Sequence, residues 1–458
     1  MKLATTLRFY FALWLGKAIL LVSRLAGKTG TTLPGAVALK IYPELLARLS
    51  GGLPRGAIVV TGTNGKTTTS NLLAEVLRRA GMTLTFNRAG ANLVTGITSA
   101  FLEASRWDGR NLSHLALLEV DEAAMAKVIP LVKPQTVVIT NFFRDQLDRY
   151  GELDKTVALV KDTINTHLPD ARLVLNADDP LVAQIGANRE GVVYYGVAPT
   201  DYDLSGNSQS REAKFCSFCG HAYEYELYHY GQLGIYICPG CGFKRPAPDV
   251  LADEVQIRGT GGVSFSLGGT EINLQHQGFY SVYNALAAAA AALGLGMGMD
   301  HIKAALDGFT PEAGRMEQFV LGIHRVTLSL VKNPTGFNEV IRAMIHGERP
   351  LGLLIAINDN AADGRDVSWL WDVDFEQLVE KTGFVVCSGL RAEDMAVRLK
   401  YAGLETEKLY VIKDLAQALN KLAAKLEAGQ SGYVLPTYTA LFPTRQLMSA
   451  ARSKAYAS

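Results

Sequence analysis

Short apolar runs alternate with segments of helical periodicity through the first half of the chain. The segment Thr67–Ala80 carries apolar residues at helical spacing and stops before Gly81, which suits the end of a helix. Strands that alternate with helices predict a parallel sheet covered by helices, which is an α/β fold. The apolar runs with the length of a buried strand are Ala57–Val60, Leu115–Val120, Thr136–Asn141 and Arg172–Ala177.

The pattern changes twice farther along the chain. Between Ser205 and Pro248, Cys, Gly, Tyr and turn residues replace the alternation, which predicts a small inserted module. Beyond a glycine-rich stretch near Gly314, a second set of strand and helix patterns reaches the C-terminus. Because 458 residues exceed one ordinary core, we predict an N-terminal helical segment (1–45), a central domain (46–312, with the insertion at 205–248) and a C-terminal α/β domain (313–458).

The N-terminal segment is apolar but is divided by Arg8, Lys17 and Arg24. Its longest uncharged run, Phe9–Gly16, is too short to span a hydrocarbon layer of ~30 Å. A cleavage site of small residues does not follow it, so export is not expected. The pattern favours a helix packed on the main domain, and the alternative is an interfacial helix in peripheral contact with the inner face of a membrane.

Composition and net charge limit the kinds of function that the protein can have. Hydrophobic residues make up 48% of the chain and charged residues 19%, the balance of a soluble globular enzyme. The formal net charge of +1 gives no overall field for nucleic acid or an anionic membrane, so a charged ligand needs a local site. Four of the 5 cysteines form two CxxC pairs, which indicates a metal site and a reducing, cytoplasmic setting.

A phosphate-binding loop is predicted between the first strand and the helix that follows it. Glycines let successive backbone N–H groups face a polyphosphate, Lys66 adds a positive charge, and the helix adds its dipole. The loop is shorter than the GxxxxGK[ST] pattern, yet a glycine-rich turn with an unrelated lysine would not explain the order of strand, loop and helix. The residues predicted to bind ATP are Gly62, Thr63, Asn64, Gly65, Lys66, Thr67 and Thr68.

An acidic cluster follows the predicted strand Leu115–Val120. Ligands collect at the carboxyl ends of parallel strands, so Glu119, Asp121 and Glu122 are expected to face the same crevice as Lys66. Mg²⁺ prefers hard oxygen ligands. We predict Mg²⁺ bound by Glu119 and the hydroxyl of Thr67, or of Thr68 in its place; a solvated acidic turn is the alternative.

The inserted module carries the spacing of a structural zinc site. Its paired knuckles, CSFCG and CPGCG, predict a Zn²⁺ ribbon in which four sulfurs leave no open position for catalysis. The predicted ligands are Cys216, Cys219, Cys238 and Cys241.

Zinc ribbons often bind nucleic acid, which suggests a non-enzymatic alternative: a nucleotide-regulated binding module that holds ATP without consuming it. The basic residues between Arg211 and Arg245 are nearly balanced by acidic ones, so no stripe follows a phosphate backbone and nucleic acid is not an expected partner. The alternating tyrosines are more typical of a small β-hairpin.

Cys387, in FVVCSGL, has Val385 where a nucleophile elbow needs glycine. A buried structural thiol is the better interpretation. If glutamine supplies ammonia, another chain must release it.

Together these segments resemble the Mur ligase family, and within it the MurT-type subunits of lipid II isoglutaminyl synthase. The resemblance implies an ATP-dependent ligase of peptidoglycan biosynthesis that forms an acyl phosphate on the α-carboxyl of D-glutamate in the lipid II stem peptide. Ammonia from a GatD-type glutaminase subunit, joined in a heterodimer, would then give D-isoglutamine. The segments that carry the resemblance are TGTNGKTT (Thr61–Thr68), LLEVDE (Leu117–Glu122), NFFRDQLDRYG (Asn141–Gly151), NADDP (Asn176–Pro180) and GRME (Gly314–Glu317).

The sequence also departs from the Mur ligases that add amino acids. Tyr150 stands in place of a histidine near a second metal, and Lys161 lies one residue away from the position of the lysine that becomes carbamylated. The sequence therefore leaves open whether a second Mg²⁺ binds. Ser281 replaces one of two family asparagines, while Asn284 keeps the other; the resemblance implies that Asn284 contacts the nucleotide. It implies the same for Arg315, in the GRME segment.

In the C-terminal domain, SLVKNP replaces the usual DYAHNP, with Ser329 and Lys332 in place of an acid and a histidine. Recognition of an incoming amino acid is therefore expected to differ. This disfavours the runner-up, an amino-acid-adding Mur or folylpolyglutamate-type ligase.

The stretch Ile357–Glu376 resembles the part that separates isoglutaminyl synthase subunits from other Mur ligases. It is rich in aspartates, which by themselves fit a solvated turn equally well. The resemblance implies that one of them orients the catalytic histidine of the partner glutaminase. Asp366 is the first candidate, followed by Asp359, Asp363 and Asp372.

Overall fold

The computed structural model describes residues 2–27, 30–87, 90–144, 153–204, 212–258, 262–275, 278–310, 314, 316–345, 350–427, 430 and 432–455.

A nine-stranded sheet forms the centre of the first half of the chain, in the order β11-β10-β9-β6-β5-β4-β1-β3-β2. In this sheet the neighbouring strands β9, β6, β5, β4, β1, β3 and β2 are all parallel. Strand β10 pairs antiparallel with both β9 and β11. β7 and β8 form a separate antiparallel hairpin. The strands are β1 (Ala57–Thr61), β2 (Leu84–Phe86), β3 (Leu115–Glu119), β4 (Thr136–Ile139), β5 (Arg172–Asn176), β6 (Val192–Val197), β7 (Glu224–Tyr230), β8 (Leu233–Ile237), β9 (Val250–Ile257), β10 (Val263–Leu267) and β11 (Thr270–Leu274).

Successive side chains of the buried strands pack alternately into two apolar layers, one on each face of the sheet, as expected for a parallel sheet covered on both faces. Ile58 and Val60 of β1 point to one layer and Val59 to the other. The first layer includes the helices Lys66–Arg79, Tyr280–Gly294 and Met299–Asp307. The second includes Lys2–Leu25, Leu33–Ile41, Leu45–Ser50, Val94–Ala104, Met125–Val132, Leu153–His167 and Pro180–Ala183. The predicted α/β fold is confirmed.

A six-stranded sheet forms the C-terminal half, in the order β12-β13-β17-β14-β15-β16, antiparallel only between β12 and β13. Its strands are β12 (Glu317–Leu321), β13 (His324–Leu328), β14 (Leu351–Ala356), β15 (Thr382–Ser388), β16 (Leu409–Val411) and β17 (Gly432–Pro436). Its helices are Pro334–Ile345, Ala392–Tyr401, Leu415–Lys425 and Tyr438–Ala455, with 3₁₀ turns at Ser368–Asp372, Phe375–Lys381 and Thr406–Lys408. The boundaries at residues 45 and 312 stay a prediction.

Cys387 lies in β15 and is fully buried. Burial raises the pKa of its thiol to about 12. A neutral thiol inside an apolar layer is a poor nucleophile. The predicted structural role of Cys387 agrees with this position.

The N-terminal helix, Lys2–Leu25, packs on the central domain along one face, where Phe9, Leu13 and Leu20 are buried. Its other face carries large apolar side chains that are exposed to solvent. Among the described residues, Thr5–Leu25 is the helix that is long and apolar enough to cross a membrane.

Candidate functional site

The loop between β1 and the helix Lys66–Arg79 turns at two glycines. Gly62 has φ of 117° and Gly65 has φ of 84°, a left-handed backbone that side chains disfavour. A Cβ on Gly62 would lie 2.4 Å from Oγ1 of Thr140, and one on Gly65 would lie 2.0 Å from Oδ1 of Asn284. Both positions therefore require glycine for two reasons: the backbone has positive φ, and a Cβ would clash with a neighbouring side chain.

The loop is fastened to the end of β4. The backbone N–H of Asn64 donates to Oδ1 of Asn141 at 2.9 Å, and Oγ1 of Thr140 donates to the carbonyl of Asn64 at 2.8 Å. Oγ1 of Thr63 accepts from the N–H of Phe143 at 3.1 Å. The sequence analysis places Thr140 and Asn141 in a predicted strand but not among the residues of the site; their signal is their place at the end of a strand that neighbours β1.

Lys66 is the charged centre of the site. Its Nζ donates to the carbonyl of Gly62 at 2.5 Å and to Oε2 of Glu122 at 3.0 Å. Burial alone would lower the pKa of Lys66, but the charges of Glu122, Glu119 and Asp121 together raise it above its usual value. The lysine is thus held protonated beside the loop.

The acidic cluster is buried at the end of β3, as predicted. Asn87 holds the backbone of Glu119 through two hydrogen bonds of 2.7 and 2.9 Å, and Nδ2 of Asn92 lies 3.3 Å from its carboxylate. Asp121 instead accepts from the N–H of Ala123 at the 3₁₀ turn Glu122–Ala124. The position of Glu119 is therefore set by its hydrogen-bond partners, and its carboxylate is close enough to Lys66 to help raise the pKa of that lysine.

Two hydroxyls begin the helix after Lys66, and their exposure differs. Thr67 is half-buried, whereas Thr68 is 2% exposed. Of the two alternatives for a hydroxyl ligand, Thr67 is the accessible one.

A cavity of about 670 Å³ lies over the loop, between the two sheets. The cavity is lined by Asn64, Gly65, Asn141, Tyr230, Tyr280, Asn284, Ser329, Leu330, Lys332, Thr335, Gly336, Glu339 and Val340. The structure thus brings the loop and Asn284 together. Arg315 and Tyr150 lie outside the described residues.

The C-terminal domain reaches the loop directly. Nδ2 of Asn333 donates to Oδ1 of Asn64 at 3.0 Å, and Nζ of Lys332 lies 3.4 Å from the carbonyl of Thr63. The sequence predicts only that the SLVKNP segment alters amino-acid recognition. In the fold, the segment also supplies a second cation and an amide to the phosphate loop.

A second, polar cavity of about 960 Å³ adjoins the first, since Thr335 and Glu339 line both. Arg144, Arg342 and Asp372 also line it. Burial raises the pKa of Glu339 above its usual value although Arg342, 3.1 Å away, favours the ionised form.

The four candidate aspartates of Ile357–Glu376 have different partners. Asp363 is buried and accepts from the N–H and hydroxyl of Thr439 at 2.7 and 2.5 Å, and Asp359 pairs with Arg391 at 2.7 Å. Asp363 and Asp359 therefore both connect this loop to other parts of the C-terminal domain. Asp372 lies 3.5 Å from Arg144, whereas half-buried Asp366 accepts hydrogen bonds from Ser368 within its own turn.

The four paired cysteines converge. Their sulfurs lie within 4.8 Å of one another, with 3.6 Å between Cys216 and Cys241 and 3.3 Å between Cys219 and Cys238. A tetrahedral zinc with Zn–S bonds of 2.3 Å needs sulfurs about 3.8 Å apart. The residues therefore fit a four-sulfur metal site.

The knuckle backbones add to the fit. Backbone N–H groups of Phe218 and Cys219 and the hydroxyl of Tyr223 outweigh burial and lower the pKa of Cys216 to about 7. This favours the thiolate at Cys216, whereas hydrogen bonds from neighbouring thiols contribute to a raised pKa at Cys219 and Cys241. The glycines that follow each knuckle, Gly220 and Gly242, both have positive φ.

The hairpin β7–β8 joins this metal site to the phosphate loop. Nε2 of Gln232 donates to the carbonyl of Phe142 at 2.5 Å, and the ring of Tyr230 stacks on Phe143 at 5.9 Å. Arg245, just past the second knuckle, bonds Asp178 at 2.5 Å. The hairpin thus packs on the segment that anchors the loop.

Comparison with known proteins matches two segments of the chain to family models. Residues 60–236 match the family model of the Mur ligase middle domain, and residues 330–441 match that of the MurT ligase C-terminal domain.

Two relatives match nearly end to end. The lipid II isoglutaminyl synthase (glutamine-hydrolyzing) subunit MurT of Staphylococcus aureus (strain COL) is 34% identical over 95% of this chain and 97% of its own. The protein of the same name from Streptococcus pneumoniae (strain ATCC BAA-255 / R6) is 36% identical over 92% of each chain.

Solved structures share the fold. A pseudomurein peptide ligase type C from Methanothermus fervidus has a TM-score of 0.68 at 23% identity, over 88% of this chain and 80% of its own. The MurF ligase from Thermotoga maritima, solved in complex with ADP, has a TM-score of 0.64 at 13% identity, over 91% and 84%.

Gly65→Ala tests the space requirement of the loop, with Gly81→Ala as its matched control at the other end of the same helix. Both glycines have positive φ, but a Cβ at Gly81 meets nothing within 4 Å. We expect each change to cost about 1–2 kcal/mol of unfolding free energy, and Gly65→Ala alone to weaken ATP affinity more than about tenfold. Calorimetric titration and thermal unfolding measure the two effects. Equal ATP affinities in the two variants would contradict the prediction.

Cys238→Ser tests the link between the metal site and the loop, with Cys387→Ser as the control thiol. We expect Cys238→Ser to lose bound zinc, to unfold at a lower temperature and to bind ATP more weakly, because the hairpin supports Phe142 and Phe143. Cys387→Ser should keep its zinc. Metal analysis by mass spectrometry and nucleotide titration provide the readouts; a full complement of zinc in Cys238→Ser would refute the ligand assignment.

Proposed function

Since this chain belongs to the MurT family of Mur ligases, the subunits of lipid II isoglutaminyl synthase, we propose that it is the ATP-dependent synthetase subunit that amidates the D-glutamate α-carboxyl of the lipid II stem peptide. The product would be D-isoglutamine, in peptidoglycan biosynthesis. The observation that carries the proposal is the glycine loop that holds Lys66 3.0 Å from Glu122, beneath a cavity closed by the C-terminal domain.

The first step activates the carboxylate. One of its oxygens attacks the γ-phosphorus of ATP, the bond to the bridging oxygen of ADP breaks, and an acyl phosphate forms with ADP as the leaving group. Lys66 and the backbone N–H groups in the first turn of the helix Lys66–Arg79 offset the charge on the transferring phosphoryl group. Lys332 places a second cation at the same loop. Mg²⁺, held by Glu119 and Thr67, would supply further charge compensation to the triphosphate.

The second step forms the amide. Ammonia attacks the acyl carbon, the carbon–oxygen bond to phosphate breaks, and a proton leaves the nitrogen as inorganic phosphate departs. We place the stem peptide in the second cavity, where Arg144 and Arg342 can offset its carboxylates. Its shared wall with the first cavity, at Thr335 and Glu339, supports direct transfer from ATP.

We assign a structural Zn²⁺ to Cys216, Cys219, Cys238 and Cys241. Four thiolates satisfy the metal and leave no position for a reacting water. The role of this site is to fold the module whose hairpin packs on Phe142 and Phe143. Cysteines that form a metal site and no disulfide also support the proposed cytoplasmic location.

The relatives are named as subunits of a glutamine-hydrolysing enzyme. We propose that this chain forms a heterodimer with a glutaminase of the GatD type, which supplies the ammonia. Asp366 is proposed to orient the catalytic histidine of that partner, because it is half-buried and its described hydrogen bonds stay within its own turn. Asp359 and Asp363 are tied to Arg391 and Thr439.

Lys66→Met tests the ligase site, with Lys127→Met, an exposed lysine on the helix Met125–Val132, as control. With ATP, lipid II and ammonium, we expect Lys66→Met to lose at least about 100-fold in phosphate release and the control to match the unaltered chain. Retained turnover in Lys66→Met would contradict the site. ATP binding without any phosphate release would favour the binding module, and amide formation only with an amino acid would favour the runner-up ligase.

Asp366→Asn tests whether this carboxylate orients the catalytic histidine of the partner glutaminase. The control is Asp300→Asn, at the exposed start of the helix Met299–Asp307. In the heterodimer we expect glutamine-dependent amidation to fall at least about tenfold, while ammonium-dependent amidation is unchanged, because only glutamine hydrolysis needs the partner's histidine. Product analysis with each nitrogen source separates the two. If Asp372→Asn shows this split and Asp366→Asn does not, the assignment to Asp366 is wrong.

A further inference from the structure

The exposed face of the N-terminal helix is apolar from one end to the other. Its large side chains recur at helical spacing, and each is between 51% and 80% exposed. They are Leu7, Phe11, Trp14, Leu21, Val22 and Leu25, here called the apolar stripe. A stripe of this length on a protein surface marks an interaction site rather than scattered surface residues.

The stripe cannot turn inward, because the opposite face is already packed. A Cβ on Gly16 would lie 2.7 Å from the side chain of Leu102. The backbone of the N-terminal helix at Gly16 therefore packs closely against the side chain of Leu102. Nζ of Lys17 donates to the carbonyls of Leu102 and Ser105 at 2.7 and 2.5 Å, and Arg8 donates to the carbonyl of Ile41 at 2.9 Å. These contacts also keep the helix from crossing a bilayer, since a spanning helix would lose them.

The charged residues of the N-terminal segment all have one sign. Residues 1–43 contain no Asp or Glu, but they do contain Lys2, Arg8, Lys17, Arg24, Lys28 and Lys40. The nearby Glu103 is paired with Arg24 at 2.5 Å. Trp14 donates from Nε1 to the carbonyl of Trp107, and Trp107 is itself more than half exposed. Apolar side chains edged by cations and tryptophans complement an anionic lipid surface.

We propose that the apolar stripe docks this chain on the surface of an anionic phospholipid bilayer, with the helix parallel to the membrane plane. The stripe enters the boundary between headgroups and acyl chains, while the packed face keeps its contacts with Leu102 and Ala38. Lys17 stays on the protein, and Arg8 and Arg24 lie beside the headgroups.

One helix links the docked face to the predicted metal carboxylate. The helix Val94–Ala104 carries Leu102 and Glu103 against the N-terminal helix at one end. At its other end it follows Asn92, which lies 3.3 Å from Glu119. A single helix therefore connects the membrane face to the wall of the site. The docking itself rests on the stripe and its charge, whatever reaction the site performs.

The test uses the full chain, without nucleotide, in cosedimentation with vesicles of phosphatidylglycerol and phosphatidylcholine or of phosphatidylcholine alone. We expect binding to the anionic vesicles, and a loss of about tenfold or more in Leu7→Gln/Phe11→Gln/Leu21→Gln. The control, Val397→Gln/Ile323→Gln, alters exposed apolar residues elsewhere and should bind as the unaltered chain does. Glutamine preserves helix propensity, and ATP affinity measured on each variant reports an intact fold.

Four results would overturn the proposal. The first is no cosedimentation of the unaltered chain, and the second is equal binding by the triple variant. The third is a lipid-free dimer that the triple variant dissociates, which would assign the stripe to a second copy. Retention after an alkaline carbonate wash would likewise replace docking by insertion. None of these outcomes affects the ligase proposal, because vesicle binding is measured without ATP.

Discussion

Two glycines without space for a side chain set the geometry on which the site depends. Gly62 touches the end of β4 and Gly65 touches Asn284, so the loop is fixed between two segments that lie far apart in sequence. A loop fixed in this way holds Lys66 and the start of its helix in place before a ligand arrives, which removes the cost of ordering them on binding. The buried charge of Lys66 depends on the same arrangement, because three carboxylates at the end of β3 keep it protonated.

Other parts of the molecule converge on this loop. The zinc module reaches it through the hairpin β7–β8 and the segment Phe142–Phe143, and the C-terminal domain reaches it through Asn333 and Lys332. We therefore expect metal content and domain position to affect nucleotide binding. The proposed zinc site would then have a physical role without taking part in the chemistry, because its module packs on the segment that anchors the loop.

Much of the fold could be predicted from local patterns, and less of the site. Four central strands, the helix after Lys66 and the cysteine cluster follow from periodicity and spacing, because each depends on neighbours in sequence. Spacing does not decide which acid meets Lys66: the structure pairs it with Glu122, since the turn after β3 sets the direction of each carboxylate. The contacts of Asn333 and Lys332 with the loop span 269 residues and depend on how the two sheets meet.

The central claim is that this site converts a carboxylate into an acyl phosphate, and oxygen transfer tests it directly. Lipid II labelled with ¹⁸O in the α-carboxyl of D-glutamate would be amidated with ATP and ammonium, and the released phosphate analysed by mass spectrometry. We predict that an ¹⁸O atom passes from the carboxyl group to phosphate for each amide formed. Amide formation with unlabelled phosphate would contradict the proposed activation.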